Sequence, residues 1–308
     1  MKYFSIKKDI LATLTYFDLF NYPLRKNEIF TFLSHYDNYY EFEKALGTMT
    51  NDLDICKMGE FYSLHDDDAI AARRSRGNEK AALMLRKAER AANIISAFPF
   101  VKGVAVSGSL SKYFADENTD IDFFIITAAN RLWISRTLLH CFKKLTYLLK
   151  MQDLFCMNYF IDEAEPVILE KNIYTAMEVA TILPLRGNGV FDLFFKANSW
   201  TKNFFPNKSM FLPPVKETRN SWFKIAVEKS LKNRFGDLLD NFLMNLTAKS
   251  WNSKTRTNKT NSKGILLSMH VDKHFSKPNP ELFQKRLLQR YEYKLSEIFK
   301  QYELSRYC

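Results

Sequence analysis

Two apolar runs with a short polar stretch between them, residues 103–106 and 121–127 in "GVAVSGSLSKYFADENTDIDFFIIT", constrain the fold of this chain more than any other feature. Their length and β-branched content read as buried strands. The second strand carries two carboxylates, Asp120 and Asp122, one residue apart. In a strand, residues i and i+2 share a face, so both acids point the same way while Ile121 turns into the core. Two carboxylates this close resist joint ionisation. A divalent cation reverses that cost, and Mg²⁺ accepts hard oxygen ligands with phosphate oxygens and water at its other positions. Such ions can clamp the attacking and leaving oxygens of a phosphoryl or nucleotidyl transfer. A solvated edge strand with two idle aspartates would explain the acids, but not what precedes them.

The preceding strand ends in a Gly-Ser pair. Gly108 permits a tight turn and Ser109 can open a helix, so backbone N–H groups and a hydroxyl would offer an anion site for a triphosphate. Ser111 and Lys112 lie close enough in sequence to contribute. Gly108-Ser109, ten residues, then Asp120-Ile121-Asp122 in an apolar strand resembles the DNA polymerase β-like nucleotidyltransferase superfamily. The likeness covers roughly residues 100–165, about a fifth of the chain. It implies Mg²⁺-dependent transfer of a nucleotide from a nucleoside triphosphate to an acceptor hydroxyl. Asp120 and Asp122 would be catalytic and hold the metal, while Gly108, Ser109, Ser111 and Lys112 would hold the nucleotide.

Active members of that superfamily usually add a third carboxylate from a later strand. Here the matching strand is "LFCMNYFID", and its central position is Asn158. An asparagine oxygen can join a metal's ligands but is no useful base. Asp162 shares the parity of Asn158 but lies about 13 Å further along a strand rising about 3.3 Å per residue. A different register would bring in Asp162 or Asp153. Two readings follow: a transferase, or a catalytically silent nucleotide- or RNA-binding module acting as sensor or scaffold.

The surrounding pattern gives an α/β (α+β) class with a mixed sheet. Residues 1–65 read as three helices and a hairpin, a winged-helix-like outline, with Ile6, Ile10, Leu14 and Phe17 at helical spacing. The third helix region, 36–54, holds five acids against Lys44, which opposes approach to DNA phosphates. Residues 66–98 read as a connecting helix and 99–206 as the nucleotidyltransferase core with following helices. Residues 207–308 read as a basic helical region with a mobile loop at 249–264. Beyond residue 173 the pattern reads as helical to the end, with Asn198, Trp200 and Lys202 near the site's mouth. Arg131 and Arg136 read as exposed helix positions, and His270 and His274 as neighbours on one helical face.

Charge is uneven. Residues 201–308 hold 21 of the 45 Lys+Arg and 9 of the 34 Asp+Glu, which leaves 1–200 close to neutral. That surplus could draw RNA or another polyanion, or be a solvated lysine-rich surface. Four scattered cysteines without C-x-x-C spacing and no leader pattern suggest reduced thiols and a cytoplasmic location. No apolar run reaches the ~18 residues of a membrane helix, so no membrane partner is expected. No P-loop and no G-x-S-x-G motif occur.

Overall fold

The computed structural model describes residues 2–35, 38–148, 154–209, 215–256, 269–278 and 281–304. Helix α1 (Lys2–Asp18) buries Ile6, Ile10, Leu14 and Phe17 along one face, as their spacing predicts. Leu24 and Arg25 form β1 (Leu24–Arg25), so α2 (Lys26–Thr31) is shorter than the run "LRKNEIFTFLSHY" predicts. Pro23 sets an extended entry, and Leu24, fully buried, pairs with Tyr62. Helix α3 (Tyr39–Asn51) starts where the Asn38 side chain accepts the Tyr40 N–H. The expected hairpin follows as β2 (Cys56–Met58) and β3 (Phe61–Ser63), turning at Gly59 with φ +61°. Asp67 then caps α4 (Asp68–Ile95), whose small Ala face is buried.

The second sheet starts with β4 (Val101–Val106), the single turn α5 (Gly108–Ser111) and β5 (Asp122–Thr127). Helix α6 (Leu132–Leu148) crosses over to β6 (Cys156–Asp162), which therefore runs parallel to β5. Helix α7 (Ile173–Ala180) leads to β7 (Leu183–Gly187) and α8 (Val190–Ala197). Helices α9 (Trp222–Leu231) and α10 (Arg234–Arg256) precede the hairpin β8 (Met269–Val271) and β9 (Phe275–Pro278), and α11 (Glu281–Leu304) returns against α1. The six strands run in the order β7-β4-β5-β6-β9-β8, with the β5–β6 pair parallel and the other pairs antiparallel. This is a mixed α+β fold.

Two cores flank the sheet. Phe123 and Ile125 of β5 face Trp133, Leu139 and the small residues of α4, while Phe124 and Ile126 face Val179, Phe191 and Phe194 on the other side. A third core joins α1–α3 to Ala176, Met177 and Leu287.

Several expectations are corrected. The chain beyond residue 173 is not helical throughout. Residues 183–187 pair with β4, where Pro184 and Gly187 break helical continuity. His270 and His274 lie on the β8–β9 hairpin, not on a helix. Residues 249–256 of the expected loop are the end of α10, and 257–264 fall outside the described residues. Arg131 and Arg136 are buried. Arg131 donates to the carbonyls of Leu231 at 3.1 Å and Asn233 at 3.2 Å and pairs with Asp237, pinning the α9–α10 junction. Arg136 lies 5.4 Å from the Trp133 ring, and burial pulls its guanidinium down to about 10.

Asp240 marks the same junction. It is 3% exposed, its Oδ1 accepts the Ile134 N–H at 2.9 Å, and burial pushes its carboxyl up to about 6. A carboxyl raised in the folded state opposes folding once it must ionise, so the penalty grows as pH rises from about 4 to about 6. Asp240→Asn, which keeps one carbonyl acceptor, is expected to stabilise the protein by about 2 kcal/mol at pH 7, with the gain gone below about pH 4. Urea unfolding of both proteins across that range measures it.

Candidate functional site

The strand pair β4–β5 brings the Gly-Ser turn onto the D-x-D segment. Ser107 closes the loop by donating its N–H to the Asp122 carbonyl at 2.9 Å. Gly108 then takes φ +69°, and a Cβ there would stand 2.9 Å from Asp122 Oδ2. A glycine is required twice over, by backbone sign and by the carboxylate packed against it. Strand β5 starts at Asp122, so Asp120 and Ile121 sit just before the ladder. The expected alternation holds nonetheless: Asp120 is exposed, Ile121 buried and Asp122 half-buried.

The side chain of Asn158 reaches that acid from the neighbouring strand, although the residue paired with Asp122 is Cys156. The β5–β6 register passes from Phe123↔Met157 to Phe124↔Tyr159, which makes Asn158 the extra residue of a bulge. Its Nδ2 donates to Asp122 Oδ1, and the Cys156 thiol donates to Asn158 Oδ1 at 3.2 Å. Burial, reinforced by Asp122 and Asp120, pushes the Cys156 thiol up to about 11, so it stays protonated at neutral pH. Asp162 lies at the other end of β6, fully buried. There it accepts the N–H groups of Asn130, Ala164 and Glu165 and pairs with His274 Nδ1 at 2.9 Å. It does not replace the missing carboxylate, and Asp153 falls outside the described residues.

The remaining phosphate-binding candidates divide. Ser109 is exposed and, with Gly108, lines a cleft of about 350 Å³ that also holds Tyr16, Tyr22, Phe114 and Arg73. Ser111 is buried and turns its hydroxyl onto the Gly108 carbonyl at 2.8 Å. Lys112 Nζ reaches the same carbonyl at 3.0 Å and Glu178 at 2.7 Å. Ser111 and Lys112 therefore stiffen the turn from inside. Asn198, Trp200 and Lys202 do not gather at a mouth. Asn198 is fully buried and ties the Ile168 N–H, the Pro166 carbonyl and the Trp200 indole together.

Sequence reasoning read residues from 173 on as helical but missed that α7 brings Tyr174 and Glu178 to the site. Tyr174 and Glu178 line the aromatic cleft and also a second one, of about 230 Å³, holding Ser107, Phe124, Tyr159, Glu170 and Lys277. Burial first, then Glu178 and Asp122, hold the Tyr174 phenol well above its ordinary range. One signal was present: Glu178 is the single charge in the apolar run 173–183.

Carboxylate oxygens are ligands that Mg²⁺ accepts, and Gly108 leaves the space beside Asp122 Oδ2 free of a side chain, whereas the Asn158 amide is engaged, its Nδ2 with Asp122 and its Oδ1 with the Cys156 thiol. Among the described residues no group of three His, Cys, Asp or Glu gathers for a metal. Comparison with known proteins gives no match: no family model, no curated protein and no solved structure.

Gly108→Ala is expected to cost about 1–2 kcal/mol for the left-handed backbone alone and to push Asp122 aside. Thermal unfolding of the variant measures the cost, and an unchanged midpoint would contradict the close packing.

Proposed function

We propose that this chain is a Mg²⁺-dependent nucleotidyltransferase of the DNA polymerase β-like type, moving a nucleoside monophosphate from a triphosphate to an acceptor hydroxyl. The observation that carries the reading is the packing of Asp122 Oδ2 against Gly108, which unites two sequence elements fourteen residues apart. In this reading Asp120 and Asp122 hold the cation, with the Asn158 amide beside them. The cation, when bound, neutralises the triphosphate and polarises the phosphorus under attack. Gly108 and Ser109 lie against the phosphates, and the aromatic cleft with Tyr16, Tyr22 and Phe114 offers ring faces to a base. The apolar cleft beyond Tyr174 and Glu178 is then the place for the acceptor.

Calorimetry with ATP, GTP, CTP and UTP, with and without Mg²⁺, tests it. Mg²⁺-dependent binding of at least one triphosphate is expected in the wild type, with a loss of about a hundredfold or more in Asp120→Ala/Asp122→Ala. Binding that ignores Mg²⁺ or survives the double substitution would refute the assignment.

One observation favours the second reading, a nucleotide-binding module without turnover. The Asn158 amide donates a hydrogen bond to Asp122 where a proton-accepting carboxylate would stand. Asn158→Asp separates the two readings. It places a like charge against Asp122, so the metal-free protein is expected to lose about 1 kcal/mol while added Mg²⁺ stabilises it more than wild type. Pyrophosphate release, absent in wild type and gained in this variant, would mark a silent site; release in both would mark an enzyme.

A further inference from the structure

Helix α10 is apolar on two opposite sides. Its inner line, with Gly236, Asp240, Leu243 and Met244, packs on the sheet and α6. Phe235, Leu238, Phe242 and Leu246, spaced 3, 4 and 4 residues, form a stripe on the far side, each between 56% and 69% exposed. The neighbouring helices α9 and α6 expose further large apolar side chains, Trp222 at 82%, Ile225 at 57% and Leu145 at 63%. A helix apolar on two sides requires a second apolar surrounding.

Charge says what kind. The three acids of α9 and α10 are all engaged by the rest of the chain: Glu228 accepts the Phe100 N–H, the exposed Asp237 pairs with Arg131, and the buried Asp240 accepts the Ile134 N–H. Helix α6 contains no acid. Lys144, Lys229, Lys232, Arg234 and Lys249 are exposed. Among the described residues of α6, α9 and α10 the exposed cations thus face one exposed carboxylate, Asp237, which Arg131 already holds. Each of the four side chains of the stripe is more than half exposed, so the stripe stands out toward solvent as a ridge rather than lining a closed groove that would seat a helix. Trp, Phe and Leu on a ridge with Lys and Arg beside them is the pattern of a helix lying in the plane of a bilayer surface, its apolar side chains among the acyl boundary and its cations at the headgroups.

We infer that α9 and α10 dock this protein on an anionic lipid surface. No helix among the described residues is long and apolar enough to cross a membrane, so the contact is peripheral. The inference is independent of the nucleotide site. Co-sedimentation of the full chain with phosphatidylcholine vesicles, alone and mixed with phosphatidylglycerol, tests it. Binding to the mixed vesicles only is expected, weakening as salt shrinks the screening length from roughly 10 Å to 3 Å. Phe235→Ser/Leu238→Ser/Phe242→Ser and Lys229→Glu/Lys232→Glu/Arg234→Glu should each weaken it at least about tenfold, with the circular dichroism spectrum kept. The idea fails if wild type ignores the mixed vesicles, or if the serine variant binds them as well as wild type. It fails equally if wild type is a dimer that the serine variant splits, which would assign the ridge to a second copy. Binding of a synthetic Glu- and Leu-rich helix without vesicle binding would assign it to an acidic protein.

Discussion

Everything at the candidate site hangs on the hydrogen bond from the Ser107 N–H to the Asp122 carbonyl. It makes residues 108–121 a closed loop rather than a free connection between two antiparallel strands, and so fixes where Gly108 meets the carboxylate. The loop is then tied down at several points. The Tyr22 hydroxyl donates to the Lys112 carbonyl, the Ala115 N–H to the Gly77 carbonyl, and Arg73 lies 3.5 Å from Asp116. Gly77 matters because a Cβ there would stand 2.3 Å from the Phe114 ring, so a small residue in α4 lets that ring anchor the loop. The N-terminal helices and α4 thus act as a mould for the turn, which gives their aromatic core a role that does not involve DNA.

The electrostatics of the site follow from burial. Desolvation holds the Tyr159, Tyr174 and Tyr22 phenols and the Cys156 thiol in their neutral forms at neutral pH. Lys112 is bound to Glu178 and Lys277 to Glu170, so each cation at the clefts has a carboxylate of its own. What remains on the β5 side is the acid pair. An anionic ligand could not approach that pair without a cation to offset it, which is why a metal and a polyphosphate make sense there only together.

Strong local patterns were legible in the sequence. The strands β4 and β5 and the alternation through Ile121 depend on period-2 side-chain direction, which a sequence carries explicitly, whereas the bulge that turns Asn158 onto Asp122 breaks that period and has no local signal. The failures share a cause. Residues 183–187 were misread because a short apolar run with helical neighbours becomes a strand only when β4 offers an edge to pair with. Arg131 and Asn198 were read as surface or mouth residues because their polar groups are satisfied by chain segments tens of residues away, and Arg136 because the burial of its side chain is set by tertiary packing; no local pattern announces either. Glu178 was hidden in the same way: its meaning comes from Lys112, 66 residues distant in sequence.

Part of the basic surplus of the last third of the chain lies on α9 and α10, and part on α11, which packs against α1. Phe124 and the α7–α8 core lie on one side of the sheet, and the two clefts share residues of that side. Leu243 and Met244 of α10 pack on the opposite side, with α4 and α6. A polyanionic acceptor held by α10 would therefore have the sheet between itself and Asp122. Strands of a sheet stand about 10 Å from the layer packed on them, and screened charges fade over a similar length. The cations of α9 and α10 are thus poorly placed to steer an RNA end to the acid pair. They lie on the side of the sheet opposite the Phe124 core, where the inferred lipid contact would form.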